Sequence, residues 1–184
     1  MAENAFVPEL EADLPVFPMD VFVGRGKEIR RSRDLLRRPA VQLLTVTGPA
    51  GVGKTRLALE LARNADAWFG GNPIIVRLAA IRGASEIVPE VARSLGIVDQ
   101  AERLELRVQR ALANRPSLIV LDNLEHLLPE AIPVVEWLCR VSPAAKILTT
   151  SRRPLRSLGE ERLELEPFAS SAAVTVKRRF GRMG

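Results

Sequence analysis

Eight consecutive residues, Gly48-Pro49-Ala50-Gly51-Val52-Gly53-Lys54-Thr55, have the spacing G-x-x-x-x-G-K-[ST]. Each fixed position meets a chemical need of a polyphosphate. Glycines let the backbone curl so that its N–H groups point inward, where a side chain would block the anion. Lys54 supplies a cation for the β- and γ-phosphates, and Thr55 a hydroxyl for Mg²⁺. The flanks suit the task. Residues 41–47 form an apolar run that reads as a buried strand, and residues 56–63 read as an amphipathic helix. A helix beginning beneath the loop adds its partial positive charge to the anion site. The expected ligand is a nucleoside triphosphate or diphosphate.

Two more strand ends carry chemistry. Residues 118–121, Leu-Ile-Val-Leu, deliver Asp122 after four apolar residues. A carboxylate there can hold Mg²⁺ opposite Thr55, and the competing reading is a cap on the following turn. The run Lys146 to Arg152 ends in Thr149-Thr150-Ser151-Arg152, and Arg152 faces the nucleotide if this strand lies between the first strand and the Asp122 strand. Lys54, Asp122 and Arg152 are the candidate catalytic residues, with Thr55 and Asp122 as metal ligands.

The elements that must position these groups alternate. Residues 74–78 read as a strand, 85–95 and 101–113 as helices, 129–141 as a helix with Pro133 in its first turn, and 162–166 as a fifth strand. Continuous apolar strands between helices argue an α/β fold with a parallel sheet covered on both faces. Residues 1–20, punctuated by Pro8, Pro15 and Pro18, read as an extended lead-in. Residues 21–168 read as the nucleotide-binding domain, and 169–184 as a basic, disordered tail.

The 184 residues, 47% of them hydrophobic, suffice for one sizeable core. No apolar run is long enough to span a membrane, and the acidic N-terminus is unlike a secretory signal. One cysteine, Cys139, excludes an internal disulfide framework and reads as a small core residue. The expected compartment is the cytoplasm. The net charge of +5 comes mainly from arginines dispersed among glutamates, a solvated face more than a nucleic-acid surface, so direct DNA contact is not expected.

Taken together, the lead-in Phe22-Val23-Gly24-Arg25 with Glu28, the loop Gly48 to Thr55, the run Leu118 to His126 and the Thr149 to Arg152 segment resemble the STAND class of P-loop NTPases. More closely, they resemble its bacterial ATPases and transcriptional regulators, related to NB-ARC and AAA ATPase cores. The resemblance covers residues 21–168. It implies a P-loop NTPase three-layer sandwich with strand order 5-1-4-3-2, and ATP/ADP and Mg²⁺ as cofactors. The nucleotide-contacting set it implies is Val23, Gly24, Arg25, Gly48, Pro49, Ala50, Gly51, Val52, Gly53, Lys54, Thr55 and Arg56. Val23 to Arg25 would run along adenine and ribose, and Arg152 would stand at the sensor position. Such proteins act as switches, closed with ADP and open or assembled with ATP.

Two departures from the family pattern shape the expectation. Fast-hydrolysing relatives carry Glu directly after the strand-end Asp, whereas this chain has Asn123, with Glu125 the nearest acid. Slow hydrolysis follows, and His126 reads as a local polar or packing residue. The family pattern also continues into a helical lid and a winged helix, which the residues after 168 do not match. The expectation is a core whose parent carries further domains or self-associates. Two alternatives stay open: an autonomous AAA-like ATPase or kinase, and a basic DNA-associated regulator fragment.

Overall fold

A computed structural model describes residues 24–97 and 103–167 of the chain. The expectations for the lead-in, for Val23, for the start of the helix placed at 101–113 and for the basic tail fall outside these residues. Five strands run in parallel: β1 (Leu43–Thr47), β2 (Ile74–Arg77), β3 (Ser117–Asp122), β4 (Ala145–Thr150) and β5 (Glu160–Glu164). Their spatial order is β2-β3-β4-β1-β5, the 5-1-4-3-2 order implied by the resemblance. Register places Thr45 of β1 beside Thr149 of β4, and Leu121 of β3 beside that same Thr149.

Six α-helices complete the described fold: α1 (Gly26–Leu36), α2 (Lys54–Arg63), α3 (Ala65–Phe69), α4 (Ile87–Ser94), α5 (Leu104–Leu112) and α6 (Ile132–Val141). Successive strand residues point to opposite faces, so each apolar strand supplies two cores at once. Leu43, Ile74, Val76, Ile119, Leu121, Ala145 and Ile147 pack with Ile87 and Val91 of α4, Val108 and Leu112 of α5, and Val135 and Leu138 of α6. Their neighbours Leu44, Val46, Leu118, Val120, Leu148 and Leu163 pack on the other face. There they meet Leu35 and Leu36 of α1, and the stripe Leu57, Ala58, Leu61 and Ala62 of α2. The result is the three-layer sandwich.

Local boundaries shift for physical reasons. α2 begins at Lys54 rather than Arg56, because the phosphate loop feeds directly into it. α4 starts at Ile87, after a 3-10 turn at Ala84–Glu86; the Glu86 carboxylate accepts the N–H groups of Arg82 and Gly83 at 2.9 and 3.0 Å. Pro133 falls in the first turn of α6, where no intrahelical N–H is needed. The short α3 has no counterpart in the sequence reading. Lys146 on β4 ties down the chain between α1 and β1, donating to the carbonyls of Arg38 and Val41 at 2.9 and 2.6 Å. Cys139 is half-buried against the α4–α6 core, and burial, with Glu136 nearby, pushes its thiol up to about 11. It is therefore protonated at neutral pH and packs as an apolar group.

Candidate nucleotide-binding site

The phosphate loop leaves the C-terminal end of β1 and turns into α2. Gly48 takes φ 145°, and a Cβ there would stand 2.5 Å from the Leu165 carbonyl oxygen, so the loop can pass this point only as glycine. Gly53, which precedes the first turn of α2, takes φ 99°, and the space beside it is open. Val52 turns inward and joins the α2-side core, whereas Pro49, Ala50 and Gly51 are exposed. The loop thus has a packed underside and an open upper side.

Lys54 is 9% exposed, and its ammonium folds back onto the loop, donating to the carbonyls of Gly48 at 2.9 Å and Pro49 at 3.0 Å. Thr55, one residue on, is exposed, and its hydroxyl donates to Asp122 Oδ1 at 2.8 Å and lies 3.2 Å from Oδ2. Asp122 also receives the Thr150 hydroxyl, 2.5 Å from Oδ1. Three elements, α2, β3 and β4, therefore converge on one carboxylate. Asp122 is bound by side chains from two other elements, not by the N–H of its own turn.

Thr150 carries a second duty. Its hydroxyl oxygen accepts the Asn123 N–H at 2.9 Å, and its carbonyl accepts the Leu124 N–H at 2.9 Å. These bonds hold Asn123 in the left-handed region at φ 68° and set the direction in which the chain leaves β3. The sequence reading assigned Thr150 no role. Its signal was the polar run at the end of an otherwise apolar strand.

Beyond that turn, Arg152 is 64% exposed and its Nε–H donates to Glu125 Oε1 at 3.1 Å. The other Glu125 oxygen is buried without a hydrogen-bond partner among the described residues. His126 is spent locally: Nε2–H donates to the Ile81 carbonyl at 3.0 Å, and Nδ1 lies 3.4 Å from the Asn123 side-chain amide. That geometry makes the imidazole a brace between the turn after β3 and the chain after β2.

Arg25 is the most enclosed cation near the loop, at 4% exposure. One terminal nitrogen donates to Glu28 at 2.8 Å. The other donates to the Val52 carbonyl at 3.2 Å and the Glu166 carbonyl at 2.6 Å. It joins the first turn of α1, the underside of the phosphate loop and the chain just past β5. The Glu28 carboxyl would be raised by burial, but the Arg25 hydrogen bond and charge outweigh this and hold it below its usual range. Gly24 and Arg56 are both exposed.

The donor set suits a magnesium nucleotide. One carboxylate and one hydroxyl already lie within 2.8 Å of each other beside an open, glycine-lined backbone cradle. Mg²⁺ is commonly held in this way, by one or two protein oxygens and the substrate's own phosphates. No cluster of three or more His, Cys, Asp or Glu side chains suited to an all-protein metal cage occurs among the described residues.

A family model described as an AAA ATPase domain matches residues 21–150. A Mycobacterium tuberculosis protein named "Putative HTH-type transcriptional regulator" is 38% identical over 120 residues, 65% of this chain but 13% of its own length. An uncharacterized M. tuberculosis protein is 31% identical over 149 residues, 80% of this chain and 37% of its own. The chain thus spans well under half of these relatives. Among solved structures, Cdc6p from Pyrobaculum aerophilum superposes with a TM-score of 0.69 at 16% identity, over 89% of this chain and 51% of that one. A STAND protein with a tetratricopeptide repeat sensor from Pyrococcus horikoshii gives 0.52 at 19%, over 90% and 26%. At such identities the structural likenesses speak for the fold. The family match spans most of the chain and takes in the phosphate loop, Asp122 and strands β1 to β4. The chain belongs to the AAA ATPase domain family and has a P-loop NTPase core.

Proposed function

We propose that this chain is the ATP/ADP-binding core of a STAND-type regulatory ATPase, a nucleotide-dependent switch with slow, Mg²⁺-dependent hydrolysis. The observation that carries the reading is the meeting of Thr55 and Asp122 beneath the open phosphate loop. Thr55 and Asp122 are the residues that would hold Mg²⁺, which would supply charge neutralisation at the phosphates. The chain's own residues supply the rest. The loop N–H groups and the start of α2 attract the phosphates, and Lys54 exchanges two carbonyl partners for phosphate oxygens. Thr55 and Asp122 would offer their oxygens to the metal, and the Thr150 hydroxyl orients the Asp122 carboxylate.

Slow turnover follows from what stands where a water-activating base would act. Asn123 follows Asp122, and Glu125 already shares its charge with Arg152. Arg152, mostly exposed and at the end of the strand between β1 and β3, is the group we assign to sensing the γ-phosphate. Adenine preference and the Gly24–Arg25 lead-in contact are carried over from the STAND resemblance. The regulatory role is supported by the mycobacterial relative's name and by the STAND protein's similar fold, with the remaining domains supplied by a longer parent.

The test is a titration of the full chain with fluorescent ADP and ATP, with and without Mg²⁺, beside Lys54→Ala and Asp122→Ala. Expected are binding lost in Lys54→Ala, Mg²⁺ dependence lost in Asp122→Ala, and turnover below about one per second. Undiminished affinity in Lys54→Ala would overturn the nucleotide site, and turnover well above that rate would favour an autonomous ATPase.

A further inference from the structure

The helix α1 and the residues just past its end carry more cations than carboxylates. Lys27, Arg30, Arg31, Arg37 and Arg38 are all exposed. None makes a side-chain hydrogen bond or ion pair among the described residues, whereas Arg33 pairs with Asp34 at 2.8 Å. Ion pairs within a helix do form elsewhere, Arg63 with Glu60 on α2 and Arg93 with Glu90 on α4. Four of the unpaired cations, Lys27, Arg30, Arg31 and Arg38, line a cleft of about 520 Å³ between α1 and β5, with only Asp34 and Glu161 as counter-charges. The buried Leu35 side chain lies at its floor. Like charges spaced three and four residues apart on a helix repel, so such a face is costly unless something anionic covers it.

The chain carries a suitable anion next to this helix in sequence. Residues 1–23 contain Glu3, Glu9, Glu11, Asp13 and Asp20 and no lysine or arginine. The remaining residues hold all 27 cations against 17 carboxylates. We infer that the acidic N-terminal segment docks in the α1–β5 cleft, its carboxylates against Lys27, Arg30, Arg31 and Arg38, as an intramolecular cover for this surface.

Reach is not limiting. α1 is about 16 Å long at 1.5 Å per residue, and the stretch from Asp13 to Gly24 spans up to about 36 Å when extended. Tethering raises the segment's effective concentration to the order of millimolar, which gives it the advantage over any polyanion free in solution. Apolar residues between the acids, Val7, Leu10 and Leu14, can meet the Leu35 floor. A segment held by several partly exposed ion pairs is released by salt or by a stronger polyanion. This inference is independent of the nucleotide reading, because the cleft shares no lining residue with the phosphate loop, Asp122 or Arg152.

Lys27 makes the test direct, being the one lysine in the cleft. The full chain is treated with a water-soluble carbodiimide, which joins an amine to a carboxylate in contact with loss of water, and the products are mapped by mass spectrometry. The expected product is an intramolecular link from Lys27 to Glu9, Glu11 or Asp13. Its yield should fall about tenfold in 0.5 M NaCl, as screening of exposed pairs requires, and fall likewise in Arg30→Glu/Arg31→Glu. Links from Lys27 only to Glu28, Asp34 or Glu161, or a yield indifferent to salt and charge reversal, would overturn it. A second readout is the affinity of the full chain for a short DNA duplex at low salt. Glu9→Gln/Glu11→Gln/Asp13→Asn should tighten it about tenfold by uncovering the cleft. An unchanged affinity, lost in Arg30→Glu/Arg31→Glu, would assign the surface to nucleic acid and refute the intramolecular cover.

Discussion

Replacing Arg25 with alanine removes a clamp that joins three separate parts of the fold. Its guanidinium is 4% exposed and donates to Glu28, to the Val52 carbonyl of the phosphate loop and to the Glu166 carbonyl beyond β5. Hydrogen bonds to a charged group contribute roughly 1.5–3 kcal/mol each, and breaking a buried ion pair from one side costs about 3–5 kcal/mol. Glu28 is 25% exposed and can recover part of its hydration, so the lower end applies, about 3–4 kcal/mol. For a chain of this size that lowers Tm by about 10 °C. Arg25→Lys should rescue little, because one ammonium cannot span partners on both sides as a planar guanidinium does.

The same variant carries a pH signature. Arg25 holds the Glu28 carboxyl below its usual 4.5, so in the native chain this group stabilises the fold above that value, and the contribution is lost as pH falls through the lowered pKa. Without Arg25 the burial effect is opposed only by a backbone hydrogen bond and the charge of Lys27, so ionised Glu28 contributes less to stability at neutral pH. The stability gap between native chain and variant should therefore be full at neutral pH and narrow as pH falls below 4.5 through the lowered pKa. Calorimetric or near-UV circular dichroism melts at several pH values read both quantities. A Tm shift under about 2 °C, or a gap independent of pH, would refute the clamp.

Other outcomes follow from the same structure. Glu160 has a fully enclosed side chain; burial would raise its pKa, but bonds from Thr45, the Leu155 and Arg156 N–H groups and Arg162 keep it low. Glu160→Gln should cost about 1–3 kcal/mol at neutral pH, with a difference in urea melts that shrinks as pH falls below 4.5 through the depressed folded-state pKa. Leu121→Ala, at a fully buried site facing α4 and α6, should lose about 2–5 kcal/mol in denaturant unfolding, and a loss under 1 kcal/mol would mean that the site collapses around the change. Glu125→Gln should alter ATP turnover less than tenfold if Glu125 serves mainly to hold Arg152; a fall of about 10²-fold or more would identify it as the water-activating base.

How much of this was legible in the chain depends on the range of the interactions involved. The phosphate loop spans eight contiguous residues with backbone requirements at fixed offsets, so its residue types alone announce it. The strands were equally open to reading, because a strand covered on both faces must be apolar at every position, and 118–121 is. Strand order came through family resemblance; periodicity has no way to place β4 between β1 and β3. The five-residue α3 was missed because it is too short to show a helical period.

Local sequence, then, determined the elements, the phosphate cradle and the acid at the end of β3, since these rest on spacings of one to eight residues. Tertiary structure decided which side chains those groups meet. Arg25 finds Glu166 across 141 residues, Thr55 finds Asp122 across 67, and Arg152 finds Glu125 across 27. Those pairings exist only once the sheet has stacked its strands out of chain order, because the inserted β4 brings Thr150 and Arg152 beside the end of β3. Side-chain chemistry was written in the sequence; the partners that tune it were supplied by topology.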